Sequence, residues 1–291
     1  MAARPAHRFR TVGGLEVAEW TGLVGAGLRA AVTTRHGGVS GGPYTSLNLG
    51  LHVGDEAAAV LENRERAVAT VGGSLDDLVT ANQVHGRMVA TVTRADRGRG
   101  AWSATEAVAD ADALVTDEPG VVLMILVADC VPILLFDPER RVLGCVHAGW
   151  RGTCLRAADA AIDAMVAQGA RRDAVVAGIG PAIAPDAYEV GEEVATALRD
   201  ALGGGGSAGG AGGGSLLRPG ARDRWHLDLA GANRRFLIEA GVRPERIHPM
   251  TVPTGPAGPF FSDRAQRPCG RFGLLARLEE ARAGRALGGL G

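Results

Sequence analysis

Three residues of types that bind soft divalent metals stand at the ends of apolar runs: His85 in NQVHG, Cys130 in VADC and His147 in CVHAGWRG. One cysteine with two histidines suits zinc, leaving a fourth position for water or substrate. Separations of 45 and 17 residues carry little by themselves. Taken singly, Cys130 reads most simply as a small buried hydrophobe, and each histidine as a hydrogen-bonded polar group. What joins them is context. Each ends an apolar run and precedes a turn, where side chains from separate strands can converge on one cleft. Cys130 and His147 would equally suit a nucleophile and its base. A zinc-bound thiolate and an attacking thiolate both need a lowered thiol pKa, so both readings stay open.

Anion chemistry is restricted by what is missing. All 31 basic residues are arginine. With no lysine there is no Schiff base and no P-loop, so an anion must be held by arginine, histidine, backbone N–H groups or a metal. GIGPAI (178–183) does not read GxGxxG into a helix, which argues against a dinucleotide site. TTRHGGVSGGPYTSLNLG offers Arg35, Asn48 and many N–H groups, and reads equally as an anion-holding loop or a long connection. Arg64 sits within a helical pattern and is by default a solvated surface residue. Arg151 follows Trp150 in a turn and can point into the cleft of His147. Gly149 and Gly152 in that turn permit close backbone approach. Asp129 is either an orienting partner of a ligand or a group that satisfies nearby backbone. Cys145 shares the strand face of His147 and reads as packing.

The elements that must position these residues follow from periodicity. LRAAVTTR (28–35) is a strand, and 56–72 is a helix stopped by Gly72 and Gly73. Residues 78–86 and 88–93 read as a strand pair. ADALVTD and VVLMILVADC are central strands, the second continuously apolar and so buried on both faces. VPILLFDPERRVLGCVHAG is a hairpin turning at Asp137 and Pro138, with Arg140 and Arg141 exposed. Residues 154–169 form an alanine-rich helix closed by Gly169. A strand in DAVVAGIGPAI and helices in GEEVATALRDAL and DLAGANRRFLIEAGV follow. The low-complexity stretch 203–215 reads as a disordered surface insertion without a chemical role. Strands and helices alternate on both sides of it, which favours one mixed α/β unit. The expected organisation is an N-terminal extension with a first strand (1–24), one domain (25–278) and a fraying tail (279–291).

Composition excludes several function classes. The 291 residues are 46% hydrophobic and 22% charged, with a net charge of −1, so no general basic field exists for nucleic acid or anionic membrane. The longest apolar run, 120–128, is too short to span a bilayer, and the N-terminus lacks the apolar core of a secretory signal. A cytoplasmic protein, monomeric and independent of membranes, is expected. Four cysteines without a CxxC pair do not suggest a disulfide scaffold.

Nine motifs occur in order: TRHGGVS, SLNLGLHVGD, ENR, NQVHG, ADADALVT, ADCVPIL, VHAGWRG, GIGPAI and YEVG. Together, over about residues 25–275, they resemble the laccase-domain family, also described as multicopper polyphenol oxidase-like or purine nucleoside phosphorylase proteins. The resemblance implies a single α/β domain, α+β mixed, with mixed sheets between helices in an α-β-β-α order. It implies a zinc site at His85, Cys130 and His147. It also implies phosphorolysis of adenosine, inosine, guanosine and methylthioadenosine, with adenosine deamination in some members. Zinc is favoured over copper. A true laccase needs a blue-copper site plus a multi-histidine cluster, and seven histidines without an HxH pair do not supply them. On this reading phosphate falls to Arg35, Arg64 and Arg151, with Asn48 orienting sugar or phosphate. A rival is a Cys–His amidase of peptidoglycan-editing type, with Cys130 as nucleophile and His147 as base. Met250, Asp263 and Ala265 depart from the family's tail pattern, whereas Phe261, Ser262, Arg264, Gly270 and Arg271 keep it. The departures bear on the pocket wall near 250–270.

Overall fold

A computed structural model describes residues 6–23, 25, 27–203 and 215–280. The chain opens with β1 (His7–Val12), β2 (Leu15–Trp20), β3 (Leu28–Thr33) and α1 (Ala57–Ala69). It continues through β4 (Leu78–Thr80), β5 (Val89–Thr91), β6 (Ala113–Thr116), β7 (Val122–Val127), β8 (Val131–Asp137) and β9 (Val142–Ala148). Then come α2 (Trp150–Cys154), α3 (Ala157–Ala167), β10 (Val176–Ile179), β11 (Glu189–Val190) and α4 (Glu192–Ala201). The last elements are β12 (Leu217–Pro219), β13 (Trp225–Leu227), α5 (Leu229–Glu239), β14 (Ile247–Pro249) and β15 (Phe272–Leu278).

Two six-stranded sheets carry the architecture, in the orders β1-β2-β3-β15-β7-β4 and β14-β10-β8-β9-β6-β5; β11-β13-β12 form a small third sheet. Both large sheets are mixed. β4 runs parallel to β7 and β5 to β6, while β8 and β9 are an antiparallel hairpin. Alternation along β8 shows how they stack. Leu134 and Phe136 face the first sheet, meeting Leu123, Ile125 and Leu274. Ile133 and Leu135 face the helices, meeting Ile162 of α3 and Phe236 of α5. On the outside of the first sheet, Val68 of α1 covers Val122, Met124 and Leu275. The result is the expected α-β-β-α layering. Every residue of β7, β8 and β9 is buried because each pleat face has a layer against it. Each Leu or Ile so buried contributes about 1.5–3 kcal/mol of transfer free energy.

Several local expectations are corrected. Residues 78–86 and 88–93 are not a strand pair: β4 lies in the first sheet beside β7, and β5 in the second beside β6. Each short strand takes a parallel partner in a buried neighbour, and the segment between them crosses from sheet to sheet. The helix over 154–169 is broken at Arg156, whose backbone is left-handed (φ 63°) between α2 and α3. Its guanidinium is held there by Asp159 and Glu239. Arg140 is exposed, but Arg141 is half-buried, donating to the Glu279 carbonyl. The first 24 residues hold two strands, paired to each other and through β2 to β3. Nearly all of the glycine-rich insertion (204–214) and most of the tail (281–291) lie outside the described residues. Among the described residues no helix is long and apolar enough to cross a membrane.

Candidate metal centre

Two of the three candidate ligands lie where the chain passes between the sheets, and the third lies near the end of a strand of the second sheet. After β4 the segment 81–88 crosses to the second sheet, carrying His85. Gln83 fixes its start: the side-chain amide donates to the Leu126 carbonyl (2.8 Å) and accepts from the Leu126 N–H (2.9 Å). His85 adopts a left-handed backbone (φ 61°), uncommon for a residue with a Cβ. Its N–H and that of Gly86 donate to the Asp112 carboxylate at 3.0 and 2.6 Å. Cys130 lies on the second crossing, between β7 and β8. His147 is near the end of β9, opposite Pro132. Asp112 reaches it twice, through Oδ1 to Nδ1 (2.7 Å) and through its carbonyl to the His147 N–H (2.7 Å). With Nδ1–H held by the carboxylate, Nε2 is the ring atom left to bind.

The donor atoms of His85, Cys130 and His147 all lie within 4.8 Å of one another. The two imidazoles stand edge to face, with ring centroids 4.8 Å apart. His147 is buried, Cys130 half-buried and His85 exposed, so the cluster opens to one side. Burial raises the Cys130 thiol, yet the His147 charge and hydrogen bonds from both histidines outweigh it, bringing the thiol from 9.0 down to about 6. Burial lowers His147, but the thiolate and Asp112 bring it from 6.5 up to about 9. Without metal, thiolate and imidazolium therefore pair near neutrality. One thiolate and two imidazoles fit zinc by donor softness and number.

The glycines after His147 are required by space. A Cβ on Gly149 would lie 3.0 Å from both Cys130 Sγ and His85 Cδ2. One on Gly152 would lie 2.9 Å from the Gly86 carbonyl. Both crossings thus pack on the turn that begins α2.

The cluster forms part of the wall of a cavity of about 640 Å³. Arg151 lines it, exposed, its guanidinium 4.3 Å from the Trp150 ring. Arg64 also lines it but is buried rather than on the surface. Its Nε donates to the Leu49 carbonyl (2.7 Å) and its Nη1 to those of Gly100 (2.7 Å) and Ala101 (2.8 Å). Arg35 and Asn48 are not among the lining residues. Arg35 donates to the Thr45 carbonyl and lies 4.6 Å from the Phe261 ring. Asn48 is fully buried, its amide spent on Gly50, Asp55 and the Arg271 N–H.

For Asp129 the backbone reading holds. Its carboxylate accepts from the Thr254 hydroxyl and the Arg264 N–H, tying the 254–264 region to the crossing. Cys145 is packed between the sheets, and burial pushes its thiol far up. Met250 is also core.

Asp112, which bonds His147, and Gln83 and Tyr188, which line the cavity, are positions that residue-by-residue reading does not single out. Asp112 carries a faint signal, an acid directly before a buried strand. Tyr188 lines the cavity, and burial, with the Cys130 charge nearby, pushes its phenol up to about 12. Asp263 lines it as well and pairs with Arg267 and Arg271.

Comparison with known proteins agrees with this fold. Residues 29–279 match the family model described as multi-copper polyphenol oxidoreductase laccase. The chain is similar to a purine nucleoside phosphorylase of Deinococcus radiodurans, 46% identical over 212 residues, which is 73% of this chain and 75% of that protein. It is also similar to adenosine deaminase RL5 of an unknown prokaryote, 39% identical over 76% of this chain and 82% of that one. The crystal structure of YlmD from Geobacillus stearothermophilus superposes with a TM-score of 0.85 at 35% identity, covering 94% of this chain and 99% of that one.

Proposed function

Because the chain belongs to the multi-copper polyphenol oxidoreductase laccase family, with relatives named as purine nucleoside phosphorylases, we propose that it is a zinc-dependent purine nucleoside phosphorylase. Adenosine, inosine, guanosine and methylthioadenosine are its substrates on this reading. The observation that carries it is the His85–Cys130–His147 cluster opening onto an arginine-lined cavity of nucleoside scale. A zinc ion held by these three residues supplies a Lewis acid. Asp112 keeps Nδ1 of His147 protonated and Nε2 directed at the site. Arg64 and Arg151 hold the phosphate from the cavity wall, and Arg35 and Asn48 support that wall from outside. In the reaction a phosphate oxygen bonds to C1′ as the C1′–N9 bond breaks. The purine takes the electron pair and a proton, leaving ribose-1-phosphate. With water in place of phosphate and attack at C6, adenosine loses ammonia and becomes inosine, a side activity in keeping with the deaminase relative.

The test is incubation of zinc-loaded protein with inosine and phosphate, followed by chromatography. Hypoxanthine and ribose-1-phosphate are expected. Their absence above a Cys130→Ser control overturns the reading. One observation favours a second reading: Cys130, His147 and Asp112 form a thiol–imidazole–carboxylate chain. A Cys–His amidase acting on a muropeptide would need no metal. Activity abolished by chelation and restored by zinc rules it out.

A further inference from the structure

We propose that His52 and Arg271 join Arg64 in the phosphate subsite of this cavity, and that Asp263 weakens it by holding Arg271. The inference rests on the phosphorylase reading and names the place where its second substrate binds.

Arg64 is the central observation. Its side chain is 2% exposed, and its ordinary pKa is lowered by burial only to about 10, so it stays charged at neutral pH. It is absent from every ion pair among the described residues. Three of its five N–H groups go to carbonyls, and both N–H groups of Nη2 have no protein partner. A buried guanidinium without a counter-charge is costly, and a bound anion would offset that cost. Since Arg64 lines the cavity, Nη2 is the part of it that can meet one.

His52 and Arg271 line the same region. Arg64 bonds the Leu49 carbonyl and the Arg271 side chain lies against Gly50, so both reach the segment that carries His52; burial lowers the His52 pKa, and the Arg271 and Arg64 charges lower it further. Arg271 is held rigidly. Its N–H donates to Asn48 (2.8 Å), and its Nη1 donates to the carbonyls of Cys269 (3.1 Å) and Gly270 (3.2 Å). Its Cγ sits where a Cβ on Gly50 would be 3.0 Å away. Two fixed guanidiniums and an imidazole N–H match the several acceptor oxygens of a phosphate dianion.

Asp263 opposes this. Its Oδ1 lies 3.0 Å from Nη2 of Arg271 and its Oδ2 2.7 Å from Nε of Arg267. The carboxylate takes the Arg271 donor that phosphate would use, and its charge repels a dianion.

The experiment titrates inorganic phosphate into the zinc-loaded protein by calorimetry, without nucleoside. In parallel, KM for phosphate and KM for inosine are measured. His52→Ala and Arg64→Gln are expected to weaken phosphate binding at least tenfold and raise KM for phosphate more than KM for inosine. Because Arg64 also ties three carbonyls, the deciding variant is Asp263→Asn, expected to tighten phosphate binding severalfold. Mere loosening of the loop would weaken it. Phosphate affinity unmoved or weakened in Asp263→Asn, together with unmoved affinity in His52→Ala, overturns the subsite even if phosphorolysis is observed. Affinities that shift as expected without any phosphorolysis support the subsite and overturn the phosphorylase reading instead.

Discussion

Asp112 makes four hydrogen bonds to the metal cluster's surroundings, to the His147 ring, the His147 N–H, and the N–H groups of His85 and Gly86. Carboxylates behind a metal-binding histidine are typically worth 10–100-fold in metal affinity. Asp112→Asn should therefore lower zinc affinity by about that factor, read by competition with a chromophoric chelator, while the circular dichroism spectrum is retained. The same carboxylate helps keep His147 charged, and that charge holds the Cys130 thiol down. In metal-free protein the thiolate should persist above pH of about 6, against 9.0 for an ordinary thiol. Iodoacetamide alkylation of Cys130 should show its half-maximum near that lower pH. In Asp112→Asn the half-maximum should move upward, since a less charged His147 stabilises the thiolate less. At this scale the His85–Cys130–His147 cluster is legible in residue types placed at strand ends. Asp112 is not, because a carboxylate before a strand looks the same whether it faces water or an imidazole. Arg64 misled for a similar reason: in a helix an arginine defaults to the surface, and only the carbonyls of Leu49, Gly100 and Ala101, distant in sequence, make its burial tolerable.

The elements that position the cluster are the two crossings and the turn into α2. Continuous apolar runs locate the long central strands but do not say which sheet each joins. That choice is made by non-local partners: β4 pairs with β7, 44 residues onward at Leu78 and Val122, rather than with the adjacent β5. The consequence is functional, because a segment read as a turn within a strand pair is the crossing that carries His85. Its distance from Cys130 is set by Gly149. Gly149→Ala would place a Cβ 3.0 Å from both Cys130 Sγ and His85 Cδ2, forcing the ligands apart. The backbone there is ordinary (φ −73°), so no conformational strain accompanies the change. The expected outcome is a loss of zinc affinity of tenfold or more with a melting temperature of the metal-free protein within about 2 °C of wild type, since the substitution is local and outside the hydrophobic layers. Calorimetric zinc titration and thermal unfolding of the apo form separate the two effects.

On the scale of the whole molecule, the sheets are joined by packing along their length and by the His85–Cys130–His147 cluster at one end. His85 and Cys130 lie on the chain segments leaving the first sheet, and His147 belongs to the second. The Leu134–Phe136 layer between the sheets provides stability that does not depend on metal. Leu134→Ala should cost about 2–5 kcal/mol whether or not zinc is bound. Zinc adds a separate contribution, because a ligand that binds the folded state alone stabilises it by RT ln(1 + [L]/Kd), about 4.1 kcal/mol at a thousandfold excess over Kd. Chelation should then lower the melting temperature of wild type by several degrees. It should leave Cys130→Ser nearly unmoved, since a serine hydroxyl is a poor replacement for the thiolate. Leu134→Ala should show the full zinc-dependent shift on top of its own loss, because four residues of extended chain, about 13 Å, separate it from Cys130 and effects at such distances should add. A Leu134→Ala protein whose melting no longer responds to zinc would mean that sheet packing and metal binding are one cooperative unit. The cluster would then be a structural clamp, and its open side would no longer be explained by separation from the core.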